Sequence, residues 1–84
     1  MKTEFNVSIA SDGDHEKVFA EIYCGEKFVA LVTQDEGLNH LMIEFPEIEM
    51  NESVILRNVN LEGFQNALVL ATKKLAGATD GAGR

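Results

Sequence analysis

The side chains best suited to chemistry are few: His15, His40, Cys24 and the acid-rich run Asp12-Gly13-Asp14-His15-Glu16. Acids at alternate positions are how a calcium loop begins. An EF-hand also needs Gly at its sixth position and Glu at its twelfth. Counted from Asp12, those positions hold Lys17 and Tyr23, so the run reads as a solvated turn. His15, His40 and Cys24 match no zinc spacing, and a structural zinc takes four ligands. Cys24 and His40 could act as nucleophile and base only from one face of a sheet, and the hairpin register predicts them on opposite faces. Tyr23, Phe28, His40 and Glu44 could line a small-ligand pocket if two subunits enclosed it. No phosphate-cradling glycine loop, nucleophile elbow or metalloprotease motif occurs. The expectation is no enzyme, with no catalytic residue, no metal and no cofactor.

Charge is the stronger signal. The 84 residues carry 14 acids and 7 bases, a net charge of -7. No Lys or Arg lies between Lys27 and Arg57, whereas Asp35, Glu36, Glu44, Glu47, Glu49 and Glu52 do. Such a stretch repels phosphate backbones and anionic lipid, so neither nucleic acid nor membrane is expected as a partner. It would draw in a basic protein, and Asp35, Glu36, Glu44, Glu47 and Glu49 are the acids placed to steer one. One cysteine excludes an intrachain disulfide. With no basic and then apolar leader at the N-terminus, the single thiol suggests the cytoplasm.

Elements must position these groups, and the hydrophobic pattern supplies them. Phe5, Val7 and Ile9 alternate with polar residues, as in a half-buried strand. Residues 17–24 and 27–34 read as two more strands joined by Gly25-Glu26, a type II′ hairpin. That turn predicts pairs Cys24–Lys27, Tyr23–Phe28, Ile22–Val29 and Ala20–Leu31. Val18, Ala20, Ile22, Val29 and Leu31 then share an inner face. Asp35-Glu36-Gly37 suits a three-residue hairpin, which sets Leu31 opposite Leu41 and adds Leu41, Ile43 and Phe45 to that face. Pro46 ends the fourth strand, and 53–57 reads as a short fifth. Asn60 is a good helix N-cap, and Leu61, Phe64, Leu68, Ala71 and Leu75 recur at helical spacing. Lys73 and Lys74 suit the helix C-terminus, with Gly77 just past it. The expected fold is α+β: a five-stranded antiparallel β-meander, then one C-terminal α-helix packed on one face of the sheet. It forms a single domain over 1–76 with a flexible tail over 77–84.

The inner face has its helix, but the outer face has no cover in this register. It holds Phe19, Tyr23, Phe28, Ala30, Val32 and Met42, side chains that favour an interface. Two copies could stack there as a homodimer or higher homo-oligomer, a foreign protein could dock, or the sheet could curl over the patch.

The run Ala20-Glu21-Ile22-Tyr23, the stretch Gly25–Gly37, Ile43-Glu44-Phe45-Pro46 and the closing segment Leu61–Leu75 resemble short acidic bacterial immunity proteins of polymorphic toxin systems. The resemblance covers about residues 17–76. It implies inhibition of a cognate toxin by binding, and it carries over no particular binding residue. The chain is also similar to small proteins borne on mobile gene cassettes, for which the resemblance implies no function.

Overall fold

The structure, a computed structural model, describes residues 4–13, 15–47 and 52–82. Strands β1 (Phe5–Ala10), β2 (Phe19–Cys24), β3 (Lys27–Thr33) and β4 (Met42–Glu44) form an antiparallel sheet in the order β1-β2-β3-β4. Helix α1 (Leu61–Ala82) follows. The expected α+β fold with one C-terminal helix is present, but among the described residues the sheet has four strands, not five.

The β2–β3 hairpin forms where glycine permits it. Gly25 has φ 64°, and no described non-glycine residue has positive φ. That combination is the type II′ signature; type I′ would need positive φ at Glu26 too. Cys24 pairs with Lys27 and Tyr23 with Phe28, as the turn predicts. The ladder then shifts, pairing Ile22 with Ala30, Glu21 with Leu31 and Ala20 with Val32. Val29 is therefore the extra residue of a β-bulge. Beyond it the two faces of β3 are exchanged relative to the simple hairpin.

The exchange satisfies the core. Ala30 and Val32 turn toward the helix and are fully buried, in a cluster with Val7, Ala20, Ile22, Cys24, Val29, Ala67, Ala71 and Leu75. Ala30 and Val32 are thus removed from the expected outer interface, and Leu31 takes the outer side. A small residue at 30 leaves room for the helix, where a leucine in the same row would hold it off.

The second connection is longer than a three-residue hairpin. Leu31 pairs with Glu44, Val32 with Ile43 and Thr33 with Met42, so residues 34–41 all belong to the loop. Gly37 still supplies a positive φ of 104°, and its N–H donates to the Gln34 carbonyl at 2.8 Å. The expected fifth strand is a 3-10 turn, Glu52–Val54, followed by a single parallel bridge between Ile55 and Phe28. The Leu56 N–H donates to the Phe28 carbonyl at 2.9 Å. Short β4 leaves that part of the β3 edge open, and this bond closes it.

The helix starts as its cap requires. The Asn60 side-chain oxygen accepts the Gly63 N–H at 2.7 Å. Gly63 has a packing reason as well: a Cβ there would lie 2.6 Å from the Phe5 ring. The helix does not stop at Gly77 but runs to Ala82, so Lys73 and Lys74 lie short of its last turn. Alanines 76, 78 and 82 are strong helix formers and offset the glycines. Leu75 and Ala71 are fully buried, whereas Leu61, expected in the apolar stripe, is exposed. The helix lies over β1 and β2, touches β3 lightly and does not reach β4.

Candidate binding surface

Three of the six expected outer-face residues remain as surface: Tyr23, Phe28 and Met42. Phe19 is on that face but only 3 % exposed. The loop after β1 folds back over it, and the His15 ring packs on the Phe19 ring with centroids 4.8 Å apart. Tyr23 and Phe28 are half-buried and meet edge to face at 5.6 Å. Met42 is 49 % exposed at the short edge strand. The outer face is therefore partly roofed by its own chain, and the expected apolar expanse is cut to a smaller floor.

Two adjoining hollows of about 690 and 340 Å³ lie over that floor. Both are lined by Asp12, Phe28 and Leu31. His15, Glu44, Phe45, Pro46 and Glu47 extend the first, and Phe19, Glu21, Tyr23, Glu26 and Val54 extend the second. The result is one trough with an aromatic and aliphatic floor and a carboxylate rim. No lysine or arginine lines it among the described residues.

His15 organises one wall. Its Nδ1 is 2.9 Å from Asp12 Oδ1 and its Nε2 is 3.5 Å from Glu44 Oε1. The bond to Asp12 raises its pKa from the ordinary 6.5; desolvation opposes this, and the charges of Asp12, Glu44 and Asp35 add to it. When protonated, the ring ties the loop after β1 to β4 through two carboxylates. In that protonated form, with both ring nitrogens facing acids, the ring has no lone pair to offer as a base.

The acids expected to steer a partner divide. Glu44 and Glu47 stand on the rim. Asp35 and Glu36 are exposed in the loop after β3, where Asp35 Oδ1 accepts the Lys17 N–H at 3.3 Å. Glu49 lies outside the described residues. His40 is exposed in the same loop, its N–H bonded to the Gly37 carbonyl at 3.1 Å, and it does not line the trough. The expected pocket set of Tyr23, Phe28, His40 and Glu44 therefore loses His40, and His15 takes its place. The Asp12-x-x-His15 spacing was a local clue to His15, but its contact with Glu44 is long-range.

Cys24 is buried in the helix-side core, on the face away from the trough. It cannot serve groups there as a nucleophile. No cluster of three metal-binding side chains occurs among the described residues. No described helix is long and apolar enough to cross a membrane.

A smaller hollow of about 230 Å³ opens on the other face, lined by Val29, Phe45, Pro46, Leu56, Arg57, Val59 and Phe64. It exists because α1 stops short of β4. Compared with protein-family models, curated proteins and solved structures, the chain matches none.

Proposed function

We propose that the chain is a non-enzymatic binding module whose outer sheet face takes a basic protein segment carrying an apolar anchor. The observation that supports it is the trough: Tyr23, Phe28 and Leu31 form an apolar floor within a rim of Asp12, Glu21, Glu26, Glu44 and Glu47. An aromatic or aliphatic side chain of the partner fills the floor, and lysines or arginines meet the rim. An immunity-like inhibitor of a basic toxin is the sharper form of this reading. Stacking this face on a second copy is disfavoured, because carboxylate rim would meet carboxylate rim.

A direct test uses a labelled extended peptide of alternating lysine and tryptophan, with a glutamate-tryptophan peptide as control. Fluorescence anisotropy should show binding of the basic peptide only, weakening as salt rises. Phe28→Ser and the pair Glu44→Gln/Glu47→Gln should each weaken it about tenfold. Equal binding by both variants, in protein that stays folded, would sink the proposal. A small aromatic cation is a second reading, favoured by the Tyr23–Phe28 pair beside Glu21 and Glu26. A thermal-shift screen in which such a cation stabilises the chain and the peptide does not would favour it.

A further inference from the structure

We propose that the open edge of β1 is the site at which a second copy of this chain pairs, antiparallel and symmetric about Val7, to make one continuous sheet. Edge strands are normally blunted by charge, proline or a bulge. β1 has none of these: Phe-Asn-Val-Ser-Ile-Ala is six regular, uncharged residues in a chain of net charge -7. It stands at the end of the sheet order, and no described residue bonds to its outer side.

The phase of the ladder shows what that side offers. The Gly25 N–H donates to the Glu4 carbonyl at 2.9 Å, and β1 pairs with β2 in unbroken register. Asn6, Ser8 and Ala10 therefore turn their peptide groups toward β2, while those of Phe5, Val7 and Ile9 face outward. In a pairing centred on Val7, Phe5 exchanges bonds with the second copy's Ile9, and Val7 with its own counterpart. Glu4 falls opposite Ala10 of the second copy, so no like charges meet.

The side chains agree with this occupant. A shallow cleft of about 260 Å³ runs along the edge between strand and helix, lined by Phe5, Val7, Gly63, Asn66, Ala67 and Leu70. A second β1 brings its own Phe5, Val7 and Ile9 on the helix side, the row that would fill such a cleft. Because α1 sits over β1 and β2 and away from β4, the pairing also draws the two helices together. Leu70 and Val69, at 42 % and 55 % exposed, lie on the helix that this brings near. The edge is distinct from the trough, which stays open in the dimer.

Hydrogen exchange of the unmodified chain at low and high concentration tests this without any variant. Dimerisation should slow the amides of Phe5, Val7 and Ile9 at high concentration and leave those of Asn6 and Ser8 unchanged. Sedimentation equilibrium should give twice the chain mass. Ile9→Pro deletes an outward N–H together with one side chain of the paired row, leaves the inward bonds of Asn6 and Ser8, and should raise the dimer dissociation constant about tenfold or more. Phe28→Ser should leave it unchanged, which separates this surface from the trough. A monomer at all concentrations, protection without the alternation, or a dimer that Ile9→Pro does not weaken would each overturn the proposal.

Discussion

Replacing Gly63 by Ala sets two effects of opposite sign against each other in a single methyl group. At an open helical position the change stabilises by up to about 1 kcal/mol, because alanine has less backbone freedom to lose. At position 63 the new Cβ would lie 2.6 Å from Phe5 Cε1 and 3.2 Å from Cδ1. Carbon atoms in good contact sit about 3.5–4.0 Å apart, so ring or helix must withdraw by roughly 1 Å. The ring has little freedom to do so. Phe5 is paired to Cys24 through β1 and β2, and its ring packs near that of Phe64 with centroids 6.5 Å apart. Overpacking of this kind costs about 1–3 kcal/mol. The expected net effect of Gly63→Ala is a loss of about 0.5–2 kcal/mol. Phe5→Leu removes the ring atoms that clash, and in that background Gly63→Ala should instead stabilise by about 0.5–1 kcal/mol. Urea unfolding of the four proteins, followed by far-ultraviolet circular dichroism, closes the cycle. Equal stabilisation by Gly63→Ala in both backgrounds would show that Phe5 does not press on the helix start.

Two further expectations concern the ties that hold the loops. His15 has a raised pKa in the fold, so its contribution is complete below the ordinary value of 6.5 and is lost as pH rises through the folded value. Denaturation across that range should show His15→Gln falling furthest below the parent at acid pH and converging with it at alkaline pH; a constant gap would contradict the ion-pair account. Gln34 is 2 % exposed and its Nε2 donates to the Val18 carbonyl at 2.9 Å. Gln34→Leu leaves that acceptor without this donor and should lower unfolding stability by about 1–3 kcal/mol, whereas an unchanged urea midpoint would mean water replaces the bond.

Local chemistry was readable and long-range phase was not. Gly25 announced its turn, and Asn60 announced the helix start, because each acts within a few residues of itself. The bulge left no such mark. Phe28-Val29-Ala30-Leu31-Val32 is apolar at every position, so nothing in the alternation tells which phase faces the helix. Only packing decides, and it prefers Ala30 beneath α1. The connection before β4 kept its glycine turn but absorbed Leu38 and Leu41, whose apolar character resembles that of a strand. The segment near Ile55 took one bridge rather than a strand because β4 already occupies part of the same edge. Of the hollow's lining, Tyr23 and Phe28 follow from the hairpin register, and Glu44 keeps its outward phase although its expected pairing shifts. His15 was not readable, since its role depends on a carboxylate 29 residues away.

The bulge at Val29 has a consequence for how this surface could change over time. In a regular strand Phe28 and Leu31 would lie on opposite sides, and no substitution could make both line one trough. The bulge at Val29 absorbs that odd spacing and sets them side by side while the hairpin turn stays in place. Deleting Val29 would leave Ile22–Ala30, Glu21–Leu31 and Ala20–Val32 paired as they are in a ladder without the bulge, so Leu31 would stay on the trough floor and Ala30 and Val32 beneath the helix. Relatives of this chain that are one residue shorter at this point would carry the same trough floor on a straighter strand. The bulge thus lets one strand differ by a residue in length without changing which side chains it shows to a partner.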